Sequence, residues 1–528
     1  MKEINGRING HLNHRMNVSN FLTEQCTKVT LKDGLTFVDS ASYRALIILI
    51  FHPSMEKEIN HLYHKQLIFA WHNLELPLVD LVNHLIEIID EYQHGKLSKK
   101  LLIAPPEHIY KAGLDFVHVW LCSFLHRDFV GKANEENRQN LKNVLRKLAE
   151  LIDRDFDTWF EEEEEEEEEE PQYYQHSRFS SKKISDAVSA SSNAKNDARS
   201  SASRNYRNED PHEEEEEDPN IFELGVSMGE IKLYLENLDQ NEPVVEVPPN
   251  MQRPVFDPEE VKYKPTSKKP FPLRATPEVI SEHFFYTGLR ILSKITYEEY
   301  VKCAWTATDK DIKEQQCPNI SKLEDHFETT MNIINDSILT TADLNLRLEV
   351  IERWIDIMEA AINSHNYLFA FEIAESLNKL PISMQKSTWR DIKPDYQTKY
   401  NRLQEFTSTY KRYAHYKNEM RDAPVRQTLP FINPWLTEMY LTEKGHPNFK
   451  RLPNGEEGVN FAKQFAYYTS VEYLRQPWGA DAAFLLNDDL LADIEEYSPR
   501  LGGDEQVMRM SKVVERSVVF SPSPSPRK

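Results

Sequence analysis

Apolar residues recur at spacings of three and four along two long parts of the chain, which is the pattern of amphipathic helices. In the first part the stripe runs from Leu67 to Leu85 and returns between Val117 and Phe124. Residues 25–153 are therefore predicted to form a helical domain. The polar lead before it, residues 1–24, lacks this periodicity, and we expect it to be disordered.

The second helical part covers residues 269–500. Thr276 and Pro277 predict a helix start, because threonine caps free amide groups and proline suits the first helical position. An apolar stripe follows from Leu346 to Ile362, breaks at Asn363–Asn366 and then resumes. No alternation of apolar and polar residues typical of strands stands out. The predicted fold class is all-α, with two helical domains.

Charged and small polar residues dominate the segment between these domains, residues 154–268. It contains ten consecutive glutamates, Glu161–Glu170, and a stretch rich in Ser, Asn and Arg. Such a segment buries too little apolar surface to offset its chain entropy, so we predict a disordered acidic linker with one helix at 220–238. A solvated spacer fits this composition better than a binding tail. The tail, 501–528, is also predicted to be disordered.

The composition of the 528 residues argues against several classes of function. The formal net charge of −23 disfavours binding to nucleic acid or to anionic membranes. The four cysteines form no CxxC pair and no HExxH motif occurs, so we expect no disulfide framework, no metal site and no cofactor. Only 15 glycines are present, which disfavours enzymes that hold nucleotides in glycine-rich loops.

The chain carries no pattern of export or membrane insertion. Its polar N-terminus lacks a signal-peptide core, and the longest apolar run, Leu46–Phe51, is far shorter than the roughly 18 residues that span a bilayer. We therefore predict a cytoplasmic protein without direct membrane insertion. A bacterial effector injected into a host cytosol would show the same features.

The most informative pattern is a pair of predicted helices within residues 429–478. Asn433 is a good N-cap and Pro434 suits the first helical position, while Gly445 is a typical end, which gives a rod of about 16 Å. A polar connection leads to a second helix that carries Phe461 on its apolar side. By physical chemistry alone this is a helical hairpin, which either projects from the domain or packs into its core.

The residues of this hairpin resemble those of the Ras exchange-factor (RasGEF) catalytic domain. In that family the hairpin reads roughly P-F-x-G-x-x-L-T, then E-G-N-P, then N-F-x-K-R-R and Q-P-Y. The matching residues here are Pro430-Phe431, Leu436-Thr437, Glu443, Gly445, Pro447, Asn460-Phe461-Ala462-Lys463 and Gln476-Pro477-Trp478.

Segments upstream of the hairpin resemble further family motifs, in the family's order. His365-Asn366-Tyr367 is similar to an N-N-F turn, Ile382–Trp389 to an S-R-L-x-x-T-W segment, and the pair Tyr413 and Tyr416 to N-Y-x-x-Y. Thr276–Ile295 resembles the opening helix, although His283-Phe284-Phe285 replaces the usual Q-L-T.

The N-terminal helical part resembles the Ras exchanger motif (REM) module, which usually precedes this catalytic domain. Leu67–Ile86 is similar to the module's F-L-x-T-Y-x-x-F-x-x-P core, and Val117–Phe129 to its helix that ends in D-F. The long acidic insertion between the two domains is not typical of the family.

The resemblance implies a guanine-nucleotide exchange factor for a Ras- or Rap-like small GTPase. Such a protein makes and breaks no covalent bond. It binds the nucleotide-free GTPase more tightly than the loaded one, and linkage then weakens nucleotide binding by the same factor. The resemblance further implies that a first set of residues grips the second switch region of the GTPase, namely Asn366, Tyr413 and Phe431. A second set would lie along the inserted hairpin, namely Thr437, Tyr440, Leu441, Glu443 and Lys444.

Departures from the family pattern leave alternatives open. Lys444 stands where the family has a glutamate, so Glu443 substitutes for it, or exchange is slow, or the target GTPase differs. The protein could also be an exchange-deficient GTPase-binding scaffold, or a helical adaptor without a GTPase partner. Core packing is the alternative role for Tyr413 and Phe431, and a simple turn is the alternative for Asn366.

Overall fold

The structure is a computed structural model that describes residues 26–30, 36–51, 57–93, 112–120, 146, 255–256, 261–263, 265 and 268–519. Helices predominate among them, which confirms the all-α prediction. The chain forms two compact units: the first comprises Met1–Val245 with Thr442–Tyr468, and the second Glu246–Leu441 with Thr469–Lys528. Among the helices in the described ranges, none combines the length and the apolar character of a membrane span.

Elements of the N-terminal part all belong to the first unit, and residues 112–120 are helical too. In chain order they are β1 Cys26–Thr30, β2 Thr36–Ala41, α1 Tyr43–Ile48, a 3-10 turn Leu49–Phe51, α2 Lys57–Asn73 and α3 Leu78–Gln93.

The C-terminal half is a run of helices with four very short strands before or between them among the described residues. In chain order its elements are β3 Val255–Phe256, α4 Pro277–Leu292, a 3-10 segment Glu298–Thr306, α5 Lys310–Gln316, α6 Pro318–Leu339, α7 Leu344–Asn363, α8 Tyr367–Asn378, α9 Leu380–Ser383, α10 Lys386–Arg390, α11 Pro394–Phe406, α12 Ala414–Asp422, α13 Asn433–Gly445, β4 Phe449–Arg451, β5 Glu457–Val459, α14 Phe461–Leu474, β6 Leu485–Leu486, α15 Asp488–Glu495 and α16 Gly503–Val519. The boundary between the two units falls within α13 and again within α14.

The first unit contains a four-stranded antiparallel sheet that the sequence did not predict. Its strand order is β1-β2-β5-β4, and the chain reverses between β4 and β5 at Gly455, where φ is +88°. Ala41 of β2 pairs with Val459 of β5, and the Lys450 ammonium lies 2.7 Å from Asp39 Oδ1. The predicted polar connection of the helical hairpin is therefore a β-hairpin that pairs with an N-terminal strand.

Aromatic side chains join α2 to α14 in the core of the first unit. Tyr63 packs against Phe461 with ring centroids 5.6 Å apart, and Phe69 lies 5.4 Å from Tyr468. All four residues are buried. Burial of aromatic rings supplies much of the stabilisation of such a core, because each removes a large apolar area from water.

The core of the second unit centres on α7. Trp354 is fully buried there and donates its indole N–H to Ser337 Oγ at 2.8 Å. Phe284 of α4 stacks on Phe369 of α8 with ring centroids 4.0 Å apart. The neighbouring His283, which replaces a family residue, is also buried and accepts from the Asn487 amide at 2.9 Å. Its burial lowers its pKa, which favours the neutral ring.

The structure contradicts the prediction for the C-terminal tail and does not describe the helix predicted in the acidic linker. The tail predicted to be disordered from 501 contains α16, whose apolar residues Val507 and Val514 are buried and whose first turn carries Asp504 and Glu505, which the helix dipole favours. The predicted helix at 220–238, like most of the acidic linker, lies outside the described residues.

Candidate functional site

Helix α13 has one buried side and one exposed side. Pro434, Trp435, Leu436 and Met439 are buried. Trp435 stacks on Tyr473 with centroids 4.7 Å apart and lies 5.8 Å from the Tyr416 ring. Since apolar burial holds this side to the domain, the opposite side is left for solvent or for a partner.

The exposed side of α13 carries four of the predicted site residues. Thr437, Tyr440, Leu441 and Lys444 follow one another at spacings of three, one and three residues, so they share one helical face. Tyr440 is 39% exposed and Leu441 is 43% exposed. No hydrogen bond or ion pair joins these four side chains to other residues within the described ranges. We call this set the exposed face.

Phe431, just before α13, is buried in an aromatic cluster. Its ring stacks on Phe371 of α8 with centroids 4.1 Å apart, and it is 1% exposed. The Tyr416 hydroxyl accepts from the Phe431 amide at 2.8 Å and lies 3.1 Å from the Phe431 carbonyl, to which it donates. Burial raises the pKa of Tyr416 well above its usual range, which keeps the hydroxyl protonated as this bond requires.

Tyr413 lies at the edge of the same cluster and is half-buried. Its ring is 6.0 Å from Phe431 and 5.8 Å from Phe371. The backbone of Lys411, Arg412 and Tyr413 is left-handed, with φ of +47°, +58° and +63°. Three consecutive non-glycine residues in this conformation are strained. Strain of this kind is frequent at functional sites.

Asn366 is fully buried between α7 and α8. Its side-chain oxygen caps α8 by accepting from the Phe369 amide at 3.3 Å, and its side-chain nitrogen donates to the Ser281 carbonyl at 2.9 Å. Its backbone forms a parallel bridge with Leu429, two residues before Phe431. Asn366 is thereby tied to the segment that leads to Phe431, and the Phe431 ring in turn contacts Tyr413. Asn366 and Phe431 have an internal role here, and their contact with a partner stays a prediction.

Glu443 differs from the four residues of the exposed face because it is paired within the chain. Its carboxylate lies 2.9 Å from the Lys463 ammonium of α14, and its side chain is 16% exposed. The Asn73 side-chain nitrogen of α2 lies 3.4 Å from Glu443 and 3.0 Å from Gln464. Lys444 next to it points to solvent. Of the two candidate charged residues, Glu443 is therefore paired inside the chain and Lys444 is exposed.

Several residues around the site were not predicted as functional. Lys463 matches the lysine of the N-F-x-K motif, but the sequence does not reveal its ion pair with Glu443, which lies 20 residues away. Phe371 and Asn73 carried no distinctive local signal. Within the described part of the chain no cluster of His, Cys, Asp or Glu has the arrangement of a metal site.

Comparisons with known proteins locate the family likeness in this half of the chain. Residues 279–465 match the model of the RasGEF domain. Ras-specific guanine nucleotide-releasing factor 2 of Rattus norvegicus is 28% identical over 228 residues, which is 40% of this chain and 18% of that protein. Ras-specific guanine nucleotide-releasing factor 1 of Homo sapiens is 28% identical over 200 residues, which is 37% of this chain and 15% of that protein.

A more distant relative gives the same picture. Ras guanine nucleotide exchange factor M of Dictyostelium discoideum is 22% identical over 204 residues, which is 38% of this chain and 21% of that protein. The chain therefore spans about a fifth or less of the length of these relatives. The family resemblance of the C-terminal half is confirmed, while the REM resemblance of the first helical part stays a prediction.

Proposed function

We propose that this chain, whose residues 279–465 belong to the RasGEF domain family, is a guanine-nucleotide exchange factor for a Ras-like small GTPase. The observation that carries the proposal is the exposed face of α13, an apolar and polar strip on a helix whose other side is anchored in the domain. The names of two relatives, both Ras-specific guanine nucleotide-releasing factors, support the same activity.

The proposed mechanism is differential binding. A small GTPase holds its nucleotide through a phosphate loop, a lysine and Mg²⁺. A helix that inserts beside this site stabilises the nucleotide-free form, and linkage then weakens nucleotide binding by the same factor. Tyr440 and Leu441 supply bulk and apolar surface at the middle of the exposed face. Their rings and methyl groups would occupy space that the metal ion and switch region need.

The buried cluster behind the exposed face gives the helix a rigid support. Stacking of Phe431 on Phe371, and the two hydrogen bonds between Phe431 and Tyr416, fix the chain just before α13 begins. Insertion into a partner requires such support. A helix that shifted on its own domain during binding would not displace the groups that hold the nucleotide. We assign Phe431 and Asn366 this supporting role and Tyr413, which is half-buried, a contact at the edge.

The partner is proposed at two levels of detail. A Ras-family GTPase follows from the domain family, and a Ras- or Rap-like member from the motifs of the hairpin. We also propose a cytoplasmic location for the exchange reaction.

Release of a fluorescent GDP analogue from a panel of Ras-family GTPases tests the proposal. The full chain should accelerate release from at least one of them. The double variant Tyr440→Ala/Leu441→Ala should lower this acceleration at least about tenfold without changing the melting temperature, because both side chains are exposed. Val513→Ala, which truncates an exposed apolar side chain on α16, is the matched control. An equal loss in both variants, or no acceleration at all, would contradict the proposal.

An exchange-deficient scaffold is the second candidate, and Lys444 favours it. A cation near the phosphate-loop lysine of a GTPase is unfavourable, because like charges repel. A pull-down separates the two candidates. Preference for nucleotide-free GTPase supports exchange, and equal capture of the empty and loaded forms supports a scaffold.

A further inference from the structure

Lys463 is a buried lysine whose ammonium donates three hydrogen bonds to Glu443 and Asn448. Its side chain is 1% exposed. The ammonium donates to the Glu443 carboxylate at 2.9 Å, to the Glu443 main-chain carbonyl at 3.1 Å and to the Asn448 side-chain oxygen. An ammonium group has three N–H donors, so Lys463 is fully satisfied by these partners.

The partners of Lys463 lie at the C-terminal end of α13 or, in the case of Asn448, just after it. The Glu443 carbonyl is one of the last four of this helix, which lack partners within a helix, and the helix dipole favours a cation there. Asn460 strengthens the same junction, since its side chain donates to the Pro447 carbonyl at 2.9 Å and accepts from the Lys463 amide at 3.3 Å. The end of α13 is thereby tied to the start of α14.

This arrangement determines which charged side chain at the end of α13 can face a partner. The Glu443 carboxylate is engaged by Lys463 and lies within reach of Asn73, whereas Lys444 is exposed and has no ion pair with any other described residue. Rotating α13 to turn Glu443 outward would break the bonds of a buried ammonium, and an unpaired buried charge is strongly unfavourable. Glu443 therefore cannot replace a glutamate at position 444 through a small rotation of the helix.

We infer that Glu443 and Lys463 are positioning residues that lock the inserted end of α13, and that the charge which the exposed face presents is the cation of Lys444. This inference rests on the proposed exchange function. In this inference Glu443 does not contact the partner, whereas the family resemblance implies that it does. The lock sets the direction of the helix, and the exposed face then acts on the GTPase.

A double-mutant cycle tests the inference in the full chain, with release of fluorescent GDP and the melting temperature as readouts. Glu443→Gln and Lys463→Met should each slow exchange about tenfold and lower the melting temperature, and the double variant should be no slower than Lys463→Met alone. Glu457→Gln removes an exposed carboxylate from β5 and is the matched control, with exchange unchanged.

The opposite outcome is equally definite. If Glu443 meets the GTPase, Glu443→Gln slows exchange at an unchanged melting temperature, and its effect multiplies with that of Lys463→Met, which would overturn the inference. Should Lys463→Met fail to fold, Asn448→Ala replaces it in the cycle with the same expected pattern. Inactivity of the wild-type chain on every GTPase would refute the proposed function instead, so the two failures are distinguishable.

Discussion

The side chain at position 444 sets the charge of the exposed face. Lys444→Glu should raise exchange on a Ras-like GTPase about tenfold and leave binding intact, because it puts a carboxylate where the family has one and removes a cation that opposes a phosphate-loop lysine. The measurement is GDP-analogue release together with capture of nucleotide-free GTPase. Lys322→Glu, the same charge change at an exposed position of α6, is the control. A fall in exchange with unchanged folding would contradict this prediction.

The left-handed run before α12 offers a second prediction at the same scale. Arg412 has a φ of +58°, a conformation that asparagine adopts more readily than arginine, and the family pattern places asparagine before this tyrosine. Arg412→Asn should therefore stabilise the fold by about 0.5–1 kcal/mol, seen as a melting temperature about 2 °C higher. Arg421→Asn, within α12, should instead destabilise it slightly. A lower melting temperature for Arg412→Asn would show that the arginine makes a stabilising contact.

Helix ends show how far the sequence could predict single elements. The start at Thr276 is confirmed, and its hydroxyl accepts from the Val279 amide at 3.4 Å. The break predicted at Asn363–Asn366 separates α7 from α8. These signals are local, because caps and breakers act within a few residues. The pairing of β2 with β5 joins residues more than 400 positions apart, and no local pattern of such short strands reveals it.

Asn366 combines a local and a distant bond, so its variants separate the two. Asn366→Ala loses the cap of α8 and the bond to Ser281, and should cost about 2 kcal/mol of stability. Asn366→Ser keeps a capping oxygen and should recover about half of that loss. Chemical denaturation of both variants gives the comparison. Equal losses would mean that the cap contributes nothing measurable.

The site as a whole was only partly predictable. The family resemblance named Thr437, Tyr440, Leu441 and Lys444 together with Glu443, and the structure leaves the first four exposed on α13. The burial of Phe431 and the pairing of Glu443 depend on tertiary neighbours, which a single sequence does not reveal. The division of the candidate residues into exposed and internal members therefore required the structure, and their contact with a GTPase stays a prediction.

The first unit joins N-terminal helices to residues 442–468, which makes those residues dependent on a distant part of the chain. Phe461 and Tyr468 are buried against side chains of α2. Deleting residues 1–153 would expose these rings to water, so the shortened protein should bind a hydrophobic dye and lose exchange by at least about tenfold.

Deleting only Glu161–Glu170 is the control for this truncation, because the composition of this segment predicts a solvated spacer. That variant should keep the dye binding, melting temperature and exchange rate of the full chain. Full activity in the chain lacking residues 1–153 would show that the C-terminal half holds the end of α13 unaided. In that case the ties made by Lys463, which lie within residues 442–468, would suffice for positioning.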